Sequence, residues 1–171
     1  MPSPLKTIYV ELALYNKWQN QVVYAICEEL GETALETRRP WLFFGSLRST
    51  LDHIAHVDTV LLHFIRTGEP SKDFRPGEIQ YASFEELANR RPVLDEEILG
   101  LVSNHSEEWV AAPISFFSER LNRQRSFPRS FLLNQMFNHQ THHRSQATTA
   151  LHERGVDYGA TDLPMNPLSQ F

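Results

Sequence analysis

The chain has 171 residues, 41% of them hydrophobic, and a formal charge of −5. The length suits one domain, residues 1–171, with a real core. The charge argues against nucleic-acid binding, which rests on Lys and Arg neutralising phosphates, and no apolar run approaches the roughly 20 residues of a membrane span.

Nothing near the start reads as a secretory leader. Cys27 is the single cysteine, so neither an internal disulfide nor a thiolate metal cluster is expected. The expected compartment is the cytoplasm.

Proline and glycine divide the chain into four helical stretches, because helix interiors exclude proline and helices often end on glycine. The first spans about residues 5–30 and ends at Gly31. Val10, Ala13, Leu14, Val23 and Ile26 belong to its apolar stripe. The second spans about residues 40–67, with Leu47, Leu51, Ile54, Leu61 and Ile65 in one row and Gly68 after it. Residues 68–82, with Pro70, Pro76 and Gly77, read as a long crossover.

Ser83 and Glu86 then form a capping-box pattern that opens the third helix. Pro92 implies either a kink or a short helix followed by another that runs to about Val102. Residues 104–127 read as long and irregular, with Phe116 and Phe117 packing on the bundle. Within them and just beyond, Arg120, Arg123, Arg125 and Arg129 suggest a solvated basic loop, the alternative being an anion or acidic-partner patch. The fourth helix spans about residues 128–154, and residues 155–171 read as a tail. Leu163, Met165, Leu168 and Phe171 of that tail either pack on a neighbour or stay disordered.

Histidines carry the chemical signal. His139 and His143 are four residues apart, so their imidazoles leave one helix face together and can share a metal. They fall on the row of Leu132, Met136, Ala147 and Ala150, which faces inward. His142 lies about 100 degrees away, on the row of Asn138 and Ser145. His53 shares a row with Thr50, Val57, Val60 and Phe64 and can also face inward, whereas His56 and His63 stack on another. The alternative to a metal pair is a set of buried histidines hydrogen-bonded to their neighbours.

At these residues the sequence resembles the DinB/YfiT-like metal-binding proteins. The string FNHQTHHRSQATTALHERG resembles their N-H-x-x-H-H-R-x-Q block, which ends near a glycine. FFGSLRSTLDHIAHVDTVLLHFIRTG resembles their phenylalanine pair, Gly-Ser, Thr-Leu-x-His-Ile and following Asp, and LALYNKWQNQ also fits. The resemblance spans nearly all of residues 5–155.

The resemblance implies an all-α fold, a four-helix bundle in up-down-down-up order, forming a homodimer. It implies a divalent metal, Zn or Ni first, on His53, His139 and His143. It further implies a metal-dependent enzyme, thiol S-transferase-like or hydrolase-like, activating a low-molecular-weight thiol or water toward a small electrophile. The alternative is a non-catalytic metal-binding stress-response protein or dimeric binding module. Asp52 stands where Asn is usual and Ser145 where Gly is common. No side chain stands out as a general base; metal-bound water, Asp52 and His56 are the candidates, and Arg144 is a candidate for a salt bridge with Asp58 or with a partner subunit.

Overall fold

The computed structural model describes residues 4–72, 75 and 77–171. Six helices and one hairpin make up its regular structure: α1 (Pro4–Leu30), α2 (Glu32–Glu36), α3 (Leu47–Thr67), α4 (Phe84–Asn104), α5 (Glu107–Ala111), β1 (Pro113–Ser118), β2 (Arg123–Pro128) and α6 (Arg129–His152). Short 3-10 turns occupy Glu119–Leu121 and Leu163–Met165. Among the described residues no helix is long and apolar enough to cross a membrane.

The ends of the long helices follow local chemistry. Ser46 caps α3 by accepting the Ser49 amide at 3.1 Å, and Gly68 closes it in the left-handed conformation, its N–H donating to the Phe64 carbonyl. Ser83 accepts the Glu86 amide at 3.1 Å, while the Glu86 carboxylate reaches back to the Ala82 amide at 2.8 Å. α6 ends in a Schellman-type closure, with the Val156 amide on the Leu151 carbonyl at 3.2 Å and Gly155 at φ +73°.

The four long helices form a ring of contacts: α1 packs on α4 and α6, and α3 packs on the same two. The expected α3 row, Leu47, Leu51, Ile54, Leu61 and Ile65, is buried throughout. Opposite it lie Leu87, Leu94, Ile98, Leu133, Met136 and Leu151, all essentially inaccessible.

Three expectations are corrected. The second helix begins at Leu47 and not near residue 40, because residues 39–45 turn back on themselves. The Arg39 amide donates to the Gly45 carbonyl at 2.7 Å and the Gly45 amide to the Leu42 carbonyl at 2.8 Å, with Gly45 at φ +80°. Next, of the two alternatives at Pro92 a short helix followed by another is excluded: α4 is one helix with Pro92 inside it and exposed.

Residues 113–128 are also not irregular. β1 and β2 pair antiparallel from Pro113↔Pro128 to Ser118↔Arg123, so the chain is mostly but not wholly helical. Phe116 and Phe127 interlock at 5.4 Å and pack on Phe64 of α3, which gives the hairpin one partly buried face. Phe117, expected to pack as well, points the other way and is half exposed.

The crossover after α3 is tied down at its end. Asp52 is fully buried and accepts the amides of Gln80 at 2.9 Å and Tyr81 at 3.1 Å, besides Arg48 Nη1 at 3.0 Å. Residues 73, 74 and 76 of this crossover, Pro76 included, lie outside the described residues. The tail folds back along α1. Tyr15 donates to the Thr161 carbonyl at 2.7 Å, and Glu11 accepts Ser169 Oγ at 2.7 Å and the Gln170 amide at 3.0 Å.

Between the four helices lies a layer of buried polar groups. Arg91 Nη1 donates to Asp58 Oδ2 at 2.6 Å and Nη2 pairs with Asp95 Oδ1 at 3.0 Å. Asn20 joins Asp95 at 2.9 Å and Gln140 at 3.3 Å, and Arg144 donates to Asn16 Oδ1 at 2.8 Å. Two carboxylates and two guanidiniums leave the layer formally neutral, which is what permits charges at this depth.

Candidate metal centre

α3 and α6 pack side by side, and their facing histidines meet between them. His53 comes from α3. His139 and His143 come from successive turns of α6, as their spacing requires. One ligand-capable atom from each of the three lies within 4.8 Å of the others. The Nε2 atoms of His53 and His139 are 3.0 Å apart.

The rings are held from outside the trio. Phe44 stacks on His53 at 4.0 Å between centroids, fixing its plane. His143 Nδ1 donates to Gln146 Oε1 at 2.9 Å, which sets the tautomer and leaves Nε2 with a lone pair. Gln146 also reaches His142 Nε2 at 3.4 Å. His53 Nδ1 and His139 Nδ1 are buried without a hydrogen-bond partner among the described residues.

Electrostatics keep the trio neutral. Burial, then the neighbouring His143 and His56, lower the His53 pKa to about 4. Burial, then His143, His53 and His142, lower that of His139 to about 3. His143 is lowered by burial too, with Gln146 opposing. Neutral imidazoles are the form that binds metal.

This donor set fits one divalent ion. All-imidazole sites suit Zn, Ni, Cu or Fe. An ion holding nitrogens at about 2.0–2.1 Å keeps them roughly 3–3.5 Å from one another, so the observed set closes on one ion with shifts on the order of an ångström. A cleft of about 760 Å³ opens directly above, lined by Phe43, Phe44, Gly45, His53, Gly77, His142, His143 and Gln146.

Other residues singled out in the sequence lie elsewhere. His142 is exposed on the cleft wall, so the row that separates it from His143 holds. His56 accepts the Arg75 amide at 3.2 Å and His63 faces a separate hollow under the crossover. Asp52 is committed to Arg48 and two loop amides, which removes it as a candidate base. Arg144 makes no ion pair with Asp58. It is buried against Asn16, while Asp58 belongs to Arg91.

Asn138, Arg120 and Arg123 are exposed, whereas Arg125 is half-buried with its guanidinium over the Phe127 ring at 5.3 Å. The contributions of Phe44 and Gln146 to the trio were not identified from the sequence. Both stand in the quoted motifs, but only the fold brings one ring over His53 and one amide under His143.

Residues 1–170 match the profile of the DinB family. The fold is similar to the crystal structure of a DinB-like protein, YjoA, from Bacillus subtilis, at a TM-score of 0.62 and 15% identity over 85% of this chain and 93% of that one. No curated protein matches the sequence.

Proposed function

This chain belongs to the DinB family, and on that premise we propose that it is a divalent-metal-dependent enzyme with His53, His139 and His143 as ligands, Zn or Ni being the first candidates. The observation that carries the reading is the convergence of three neutral imidazoles, within 4.8 Å, at the floor of an open cleft. In this reading the four long helices form an up-down-down-up bundle in a cytoplasmic homodimer.

A divalent ion held there would supply Lewis acidity, lowering the pKa of a low-molecular-weight thiol or water and polarising a small electrophile beside it. The protein's own part is positional. Phe44 holds the plane of His53, and Gln146 holds the tautomer of His143. The apolar wall of Phe43 and Phe44 excludes water from one side of the cleft.

One observation favours a second reading, a non-catalytic metal-binding module of the stress-response type. Among the described residues that line the cleft there is no Asp, Glu or Lys, and His142 alone outside the trio is left to serve as a general base.

The test starts from protein purified without a histidine tag. We expect about one equivalent of metal per chain and its loss in the His139→Ala, His143→Ala protein. Stoichiometric metal in that variant refutes the ligand assignment. Metal-dependent turnover of an electrophile with glutathione, bacillithiol, mycothiol or coenzyme A supports the enzyme, and metal without turnover supports the module.

A further inference from the structure

We propose that β1 is the edge on which a second copy of this chain docks, β1 of each copy pairing antiparallel with β1 of the other across a two-fold axis. This inference deepens the homodimer of the reading above by naming its interface, and rests on it.

The first observation is the edge itself. The sheet has two strands, so β1 and β2 each leave one side without a strand neighbour among the described residues. A row of open amides and carbonyls is a template for another chain, and proteins guard it with charge or proline. β2 is guarded, since it carries Arg123, Arg125 and Pro128. β1 is not: residues 114–118 hold no charge, and Pro113 guards only the first position. Phe117 is 50% exposed, on the strand face opposite Phe116. A second β1 alongside would therefore cover an apolar ring as well as backbone.

The second observation is charge. α5 immediately precedes β1 and has Glu107 and Glu108 in its first turn. After β1 the turn holds Arg120, and β2 opens on Arg123. Both arginines are exposed, and Glu119 is the one acid beside them. In an antiparallel pair the end of one β1 lies beside the start of the other. Arg120 and Arg123 of the second copy then come to lie beside Glu107 and Glu108, and the two-fold axis repeats the contact in reverse. None of these four side chains forms an ion pair with another described residue of its own chain. Two chains of net charge −5 repel overall, and this edge sets their opposite charges against each other.

The experiment is sedimentation equilibrium of the full chain over a range of concentrations, with hydrogen exchange read by mass spectrometry. We expect a monomer–dimer equilibrium whose Kd rises about tenfold between roughly 50 and 500 mM NaCl. Amide protection in β1 should rise with the dimer fraction while that in β2 stays constant. Arg120→Glu with Arg123→Glu should raise Kd about 100-fold, and so should Glu107→Arg with Glu108→Arg. Mixed one to one, the two variants should dimerise again, because each contact then joins opposite charges. Circular dichroism should be unchanged, since none of the four residues is buried.

A dimer that ignores both reversals, leaves β1 protection constant or is not restored by mixing overturns this inference and leaves the homodimer standing. Assemblies larger than a dimer overturn it too, because the two-fold pairing closes. A wild-type chain that stays monomeric overturns both this inference and the homodimer, while the metal centre stands or falls on its own test. A monomer that retains polyglutamate through Arg120 and Arg123 assigns the hairpin to an acidic partner and likewise overturns the second copy.

Discussion

Replacing Arg91 by methionine removes one charge from a layer that is neutral only because it holds two of each sign. Arg91 is 2% exposed, Asp58 is 0% and Asp95 is 3%, so water cannot take over the lost contacts at 2.6 and 3.0 Å. Methionine keeps most of the volume, which confines the effect to charge. Breaking a buried ion pair from one side costs about 3–5 kcal/mol, because the remaining charge stays buried and uncompensated. With a urea m-value of about 2 kcal/mol/M, the unfolding midpoint falls by about 1.5–2.5 M. Two to four degrees per kcal/mol at this chain length gives a drop of about 6–20 °C in Tm.

The pH dependence has a definite sign. Burial raises both Asp58 and Asp95, and Arg91 opposes the rise. Without Arg91 their folded pKa values climb further above the unfolded range. A carboxyl raised in this way binds protons in the folded state that the unfolded state has released, so stability falls as pH rises through the folded pKa. The deficit of Arg91→Met relative to wild type is therefore largest near pH 8 and shrinks near pH 5. Urea unfolding followed by far-ultraviolet circular dichroism at pH 5, 6.5 and 8 measures it. A loss below about 1 kcal/mol, or a deficit that widens on acidification, refutes the account. A protein with Asp58→Leu and Arg91→Met together keeps Asp95 and Arg144 as one charge of each sign and should be more stable than the single variant.

Gln146→Ala should weaken metal binding about 10- to 100-fold in chelator competition, because His143 loses the acceptor that fixes its tautomer. Unchanged affinity would show that the bond at 2.9 Å is incidental. Asp52→Asn should expose the crossover to limited proteolysis, since an amide puts an N–H against the Gln80 or Tyr81 amide and loses the ion pair with Arg48. The expected cost is about 1–3 kcal/mol. Glu11→Ala should abolish hydrogen-exchange protection at the Gln170 amide while leaving α1 protected, because Glu11 is the acceptor for that end of the tail. Retained protection would mean the tail is held by its apolar contacts instead.

The sequence by itself determined the local features. Proline, glycine and the Ser-x-x-Glu cap mark where helices start and stop, because those residues act within one turn of chain. The spacing of His139 and His143 is also local: four residues on a helix place both rings on one face, and the apolar row says which face. Even the choice between His143 and His142 needs only the helical period. His53 is different. Its row allows it to face inward, but only the family resemblance joined it to a pair some 86 residues away.

Tertiary structure decided what depends on distant partners. Residues 39–45 carry no helix breaker after Pro40 except Gly45, yet turn rather than coil, because Arg39 and Leu42 are buried there. Residues 113–128 alternate too weakly to announce strands, and their pairing is stabilised by Phe64, a side chain of α3. Nothing local marks Asn16 as the partner of Arg144, or Asn20 as the partner of Asp95 and Gln140. Pro92 reads as either a kink or a break, and only the packed structure shows one helix there, with the neighbouring Arg91 fixed to Asp58 of α3. Spacing along a helix is a short-range property and can be read from residue order. Charge pairing in a core, and the ring that closes over a histidine from another segment, exist only once the helices have packed.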